Sequence, residues 1–110
     1  MTMQTSDTPV LDLIIKMNLD SVEAAGLDAE RLFLVRLAAL VAVDAPAASY
    51  LFNLGPATDA GIDAYQIRGI LAAVAPIVGT PRVASATMKI AQALEIDLEM
   101  AELEAESADA

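Results

Sequence analysis

The chain has 110 residues, 56% of them hydrophobic, with no cysteine and no histidine. That length holds one domain, and that composition excludes disulfides, thiolate nucleophiles and any metal site or proton shuttle built on cysteine or histidine. A formal net charge of −10 repels phosphate backbones and argues against nucleic-acid binding.

The punctuation of the sequence is helical from end to end. Thr8-Pro9 opens a first short helix, with proline where its missing N–H does no harm. Leu11, Ile14, Ile15 and Leu19 form its apolar stripe. Asp20-x-x-Glu23 reads as a capping-box-like start of a new segment, and Gly26 as its stop. Asp28 caps a longer helix. Leu32, Val35, Ala39 and Val43 share one face of it, with Leu34, Leu37 and Leu40 close by. This helix is apolar nearly all round, which predicts a buried position. Asp44-Ala45-Pro46 separates it from a helix running to about residue 60, expected to bend or break at Gly55-Pro56. Gly61 closes that helix, and Asp63 caps another through Ile67, Ile70, Leu71 and Val74, kinked at Pro76 and ending near Gly79. Thr80-Pro81 restarts the chain. Val83, Met88, Ile90, Ala91 and Leu94 follow at helical spacing. No segment alternates as a strand does. The expected fold is therefore all-α, a single-domain bundle of about six helices. An N-terminus over 1–8 is expected to be disordered, the helical domain to span 9–96, and an acidic tail to span 97–110.

Charge is distributed unevenly. Residues 95–110 hold seven acids and no base, while residues 1–94 hold nine acids against six bases. The tail is expected to be a solvated, fraying helix end. Between Leu37 and Pro81 only Asp44, Asp59, Asp63 and Arg68 are charged. So short a chain buries only about 60–70% of its unfolded surface when it folds alone. Its apolar surface therefore needs further cover. The apolar runs 37–43 and 69–78 are bounded or interrupted by Arg36, Asp44, Arg68 and Pro76, short of the roughly 18–20 residues of a membrane span. Met1 to Pro9 carries neither a basic cluster nor an apolar signal core. The expectation is a cytoplasmic homo-oligomer.

Residues 28–94 resemble the carboxymuconolactone decarboxylase and alkylhydroperoxidase D-like family. The resemblance rests on Asp28-Ala-Glu-Arg-Leu32 leading into Val35-Arg-Leu-Ala-Ala-Leu-Val41. It rests also on the turn Ala60-Gly61-Ile62-Asp63 and on Ala75-Pro76-Ile77-Val78-Gly79-Thr80-Pro81-Arg82. It implies a helical bundle assembled as a trimer or hexamer. The family's peroxidase branch uses a Cys-x-x-Cys-x-x-x-His run before the turn. Here Pro46 and Ser49 stand at the two cysteine positions and Asn53 at the histidine position. Serine is no thiolate near neutral pH, proline has no reactive group, and an amide shuttles no proton. The resemblance therefore implies the scaffold without the thiol redox chemistry.

The polar groups left near that position are Ser49, Tyr50 and Asn53, with Arg36 and Asp44 on the preceding helix. Arg36, Ser49, Tyr50 and Asn53 are the candidate ligand-binding residues. Tyr50 and Asn53, one turn apart, are expected to share a face. A phenol, an amide and a guanidinium suit a small carboxylate or carbonyl compound. The alternative is that Tyr50 and Asn53 are ordinary satisfied polar groups at a helix contact, and Arg36 a structural ion-pair or helix-end contact. Asp59 and Asp63 read as helix-end and cap residues, and Met88 and Met100 as core or interface filler. No EF-hand spacing, phosphate loop or dinucleotide fingerprint is present, so no metal or cofactor is expected. Three functions remain: an oligomeric module binding a small molecule or a partner protein; a cofactor-free lyase, decarboxylase or isomerase on a small carboxylated or carbonyl compound; and a purely structural oligomer. A pocket holding Tyr50, Asn53 and Arg36 together would favour the enzyme, with the phenol as general acid and the guanidinium on an enolate. A site filled by leucines and Phe52 would favour the structural oligomer.

Overall fold

The computed structural model describes residues 6–59 and 61–109, with side chains over 6–54 and 61–94. Five helices follow one another: α1 (Pro9–Ala25), α2 (Ala29–Ala42), α3 (Ala47–Asp59), α4 (Ala64–Val78) and α5 (Thr80–Asp109). No strand occurs among the described residues. The architecture is all-α. Among the described residues, no helix is long and apolar enough to cross a membrane.

The helix count is one below the expected six because α1 runs straight through Asp20. That residue caps nothing. Its carboxylate accepts from Lys16 Nζ at 2.7 Å, an i,i+4 pair that suits a helix interior. The expected stop does operate, since Gly26 takes a left-handed φ of +63°. At the other end, Pro9 is the first helical residue, Ser6 and Thr8 are hydrogen-bonded to each other, and Thr8 Oγ1 donates to Asp12 Oδ1. The rest of the expected disordered segment, residues 1–5, lies outside the described residues.

Helix α2 starts where Asp28 Oδ1 accepts from the backbone N–H of Arg31 at 2.8 Å. Its buried side chains are Phe33, Leu37 and Val41. The face expected inside, Leu32–Val35–Ala39–Val43, is the opposite one, and Val35 and Val43 are 58% and 72% exposed. In a helix that is apolar all round, periodicity cannot choose the inner side; the choice falls to the neighbours it meets. The chain leaves α2 through a left-handed turn. Asp44 has φ +52°, the one described non-glycine residue with positive φ. Ala45 N–H donates to Leu40 O at 3.0 Å and Asp44 N–H to Val41 O at 3.2 Å, the paired bonds of a Schellman end.

Helix α3 then continues to Asp59 without the interruption expected at Gly55-Pro56. Asp63 and Gln66 form a reciprocal capping box at the start of α4, with bonds of 2.9 and 3.1 Å. Gln66 Nε2 also donates to Glu30 Oε1 at 2.7 Å, joining the starts of α4 and α2. Gly79, at φ +88°, turns the chain directly into α5. The helical backbone of α5 extends to Asp109, through the residues expected to form an acidic tail.

The core lies where α3 packs on α5 and α2 on α3 and α4. It contains Phe33, Leu37, Val41, Ala45, Tyr50, Leu54, Ile62, Ala86, Ile90 and Ala93. Alanines at 86 and 93 let α5 approach α3 closely. Met88, expected as filler, is exposed. Helix α1 contributes no buried residue. The radius of gyration is 16.4 Å, against about 13 Å for a compact domain of this length, which fits a helix standing off the body.

Candidate functional site

Helix α1 lies across α2 and the start of α3 with a groove between them. The groove has a volume of about 980 Å³, at the upper end of the roughly 300–1,000 Å³ of small-molecule pockets. Leu11, Ile14, Ile15 and Val22 line it from α1, Leu32, Phe33 and Leu40 from α2, and Phe52 from α3. Leucines and Phe52 thus supply much of its wall, as a structural contact would, but the wall also carries a polar set.

Three of the four candidate residues, Arg36, Ser49 and Asn53, line this groove, and Tyr50 does not. Arg36 Nη1 donates to Asn18 Oδ1 at 2.5 Å and Nη2 to Ser21 Oγ at 3.1 Å. These bonds hold α1 in place. Both partners are neutral, and no carboxylate pairs with the guanidinium among the described residues. Asn53 Nδ2 donates to the Ser49 carbonyl at 2.7 Å, one turn back. Pro46, which the resemblance aligns with a cysteine position, is exposed and takes no part in the lining.

Tyr50 turns the other way. Its side chain is completely buried, and its hydroxyl has no hydrogen-bond partner among the described residues. A three-residue step leaves two side chains about 60° apart around a helix axis, and the edge of the core passes between Tyr50 and Asn53. Burial pushes the Tyr50 phenol up, and the negative charge of Asp44 adds to the effect. A phenol so placed holds its proton and meets nothing in the groove.

A second polar cluster joins the α2–α3 turn to α5, around Asp44 and with partners on α5 that the sequence did not single out. Asp44 Oδ1 accepts from Ser85 Oγ at 2.7 Å and from Lys89 Nζ at 3.0 Å. Arg82 Nη1 donates to the Ala42 carbonyl at 2.6 Å, taking up one of the last free carbonyls of α2. The Ser85 bond, then the Lys89 bond and the nearby charges, hold the Asp44 carboxyl below its ordinary value of 3.8, against a smaller opposing effect of burial. The cluster clamps the α2–α3 turn onto α5. The one available signal was the spacing of Arg82, Ser85 and Lys89 along one face of a helix, which names no partner.

The arrangement can hold an apolar body between α1 and α2 beside a cation, two hydroxyls and two amides. Among the described residues, the lining holds no carboxylate, histidine or thiol. Compared with protein-family models, curated proteins and solved structures, the chain matches none.

Proposed function

We propose that this chain is a homo-oligomeric, carboxymuconolactone decarboxylase-like helical module without thiol redox chemistry, whose groove binds a small, largely apolar molecule. The observation that carries this reading is the state of α1. It lies over an open groove, yet Val10, Leu13 and Leu19, outside the groove lining, are also exposed. A helix apolar on its inner and outer sides needs something on both. Exposed Val35, Val43, Tyr65 and Ile77 extend the apolar surface over α2 and α4. Obligate interfaces have this core-like composition. Further copies of the chain cover these outer surfaces, in the trimer or hexamer that the family resemblance implies, and a ligand occupies the groove.

The enzyme reading, a cofactor-free lyase, decarboxylase or isomerase, has less support. Arg36 could stabilise an enolate, but with Tyr50 in the core the groove lining offers no group to move the proton.

Native mass spectrometry and light scattering test the assembly. The expected mass is a multiple of 11.5 kDa; a monomer at micromolar concentration overturns the reading. Peroxide turnover with a thiol reductant should be absent, and robust turnover would show that the redox chemistry survives.

A further inference from the structure

The groove has an electrostatic character at odds with the rest of the molecule. The chain carries 16 acidic residues against six basic ones. Yet among the described residues no carboxylate lines the groove, and its one charged side chain is Arg36. That guanidinium sits midway along the α2 wall, between Phe33 and Leu40, held by the neutral Asn18 and Ser21. A guanidinium carries more donors than these two bonds use, and its planar fork matches a carboxylate. Apolar side chains make up most of the rest of the lining, Phe33 and Leu40 from the same helix and Ile14 and Ile15 from α1.

We infer that the groove binds an aliphatic monocarboxylate, its carboxylate on Arg36 and its hydrocarbon chain along Ile14, Ile15, Leu32 and Phe52. This rests on the groove reading above and narrows it. The volume of about 980 Å³ calls for a chain well beyond a small acid, and the lone cation calls for one negative charge. A dicarboxylate would have to leave its second charge against leucine and isoleucine, where desolvation penalises it. Asn18 and Ser21 hold the fork from the α1 side, so the acid approaches its remaining edge.

The test uses the full chain at pH 8, with Nile red, a neutral apolar dye, as reporter of the groove. Decanoate, decan-1-ol and butyrate compete against it. The dye should brighten with the wild type and bind less to Ala29→Trp, which puts bulk into the lining. Decanoate should displace it at concentrations about tenfold below decanol, the usual margin for a charged hydrogen bond, and butyrate should be ineffective. Arg36→Met, which keeps the length of the side chain, should erase the preference for acid over alcohol, and Arg36→Lys should keep most of it. Equal displacement by decanoate and decanol in the wild type, or a preference that survives Arg36→Met, overturns the carboxylate assignment and leaves the groove a neutral site. Failure of the dye to bind, or binding undiminished by Ala29→Trp, overturns the groove reading and this proposal with it. Circular dichroism checks that each variant is folded; should Arg36→Met unfold, the acid–alcohol comparison in the wild type decides alone.

Discussion

Asp44 stands where a helix-ending glycine is usual, and its left-handed φ of +52° carries a backbone penalty of about 1 kcal/mol. The bonds from Ser85 and Lys89 offset that penalty. Because the folded carboxyl titrates below 3.8, the unfolded chain holds more protons in that range. The stabilisation is therefore complete above about pH 4 and is lost as pH falls through the folded value. Asp44→Asn tolerates the same φ without the charge. It should melt below the wild type at neutral pH, with the gap closing in acid; a constant gap from pH 7 to 3 would show that the charge is irrelevant. Tyr50 has the opposite sign. Its raised value leaves stability intact below pH 10 and erodes it above, as the unfolded phenol ionises first. Tyr50→Phe removes a buried hydroxyl without a partner and should be neutral or stabilising by about 1 kcal/mol in urea titration; a loss of similar size would show that the hydroxyl is satisfied. The sequence showed Tyr50 as a polar group beside a vacated site. That it faces the core follows from where α5 packs, which no local pattern encodes.

At the scale of elements, most starts and stops were legible, because capping chemistry is local. Pro9, Gly26, Asp28, Asp63 and Gly79 all mark boundaries as expected. Asp20 misled because an acid three residues before a glutamate looks the same inside a helix as at its start; only Lys16, one turn back, tells them apart. The inner face of α2 was misjudged for a related reason. When both sides are apolar, the sequence records the amount of burial and leaves its direction open. The groove was half legible: Arg36, Ser49 and Asn53 were singled out, but its α1 wall depends on how a separate helix lies over them. Helix α5 is helical to Asp109, and among the described residues the last core side chain on it is Ala93. Truncation after Glu104 should therefore change stability by less than about 0.5 kcal/mol, read from the melting temperature. A drop of many degrees would mean that the end of α5 packs against another copy.

At the scale of the molecule, α2 to α5 form the body and α1 an attachment to it. A chain beginning at Leu27 keeps every core residue. It should retain a cooperative melt and the circular dichroism of the remaining helices, yet lose both assembly and dye binding. Loss of the cooperative melt would show that α1 supports the body. One consequence of the standing-off helix concerns time. The hydrogen bonds of α1 can open without disturbing anything beneath them, whereas those of the buried stretches of α2 and α5 open only when the body does. Amide exchange over residues 9–25 is then a clock set by whatever lies against α1. It should run fast in dilute protein and slow as copies gather or a ligand fills the groove, while the amides around Leu37 and Ile90 keep their own unvarying rate.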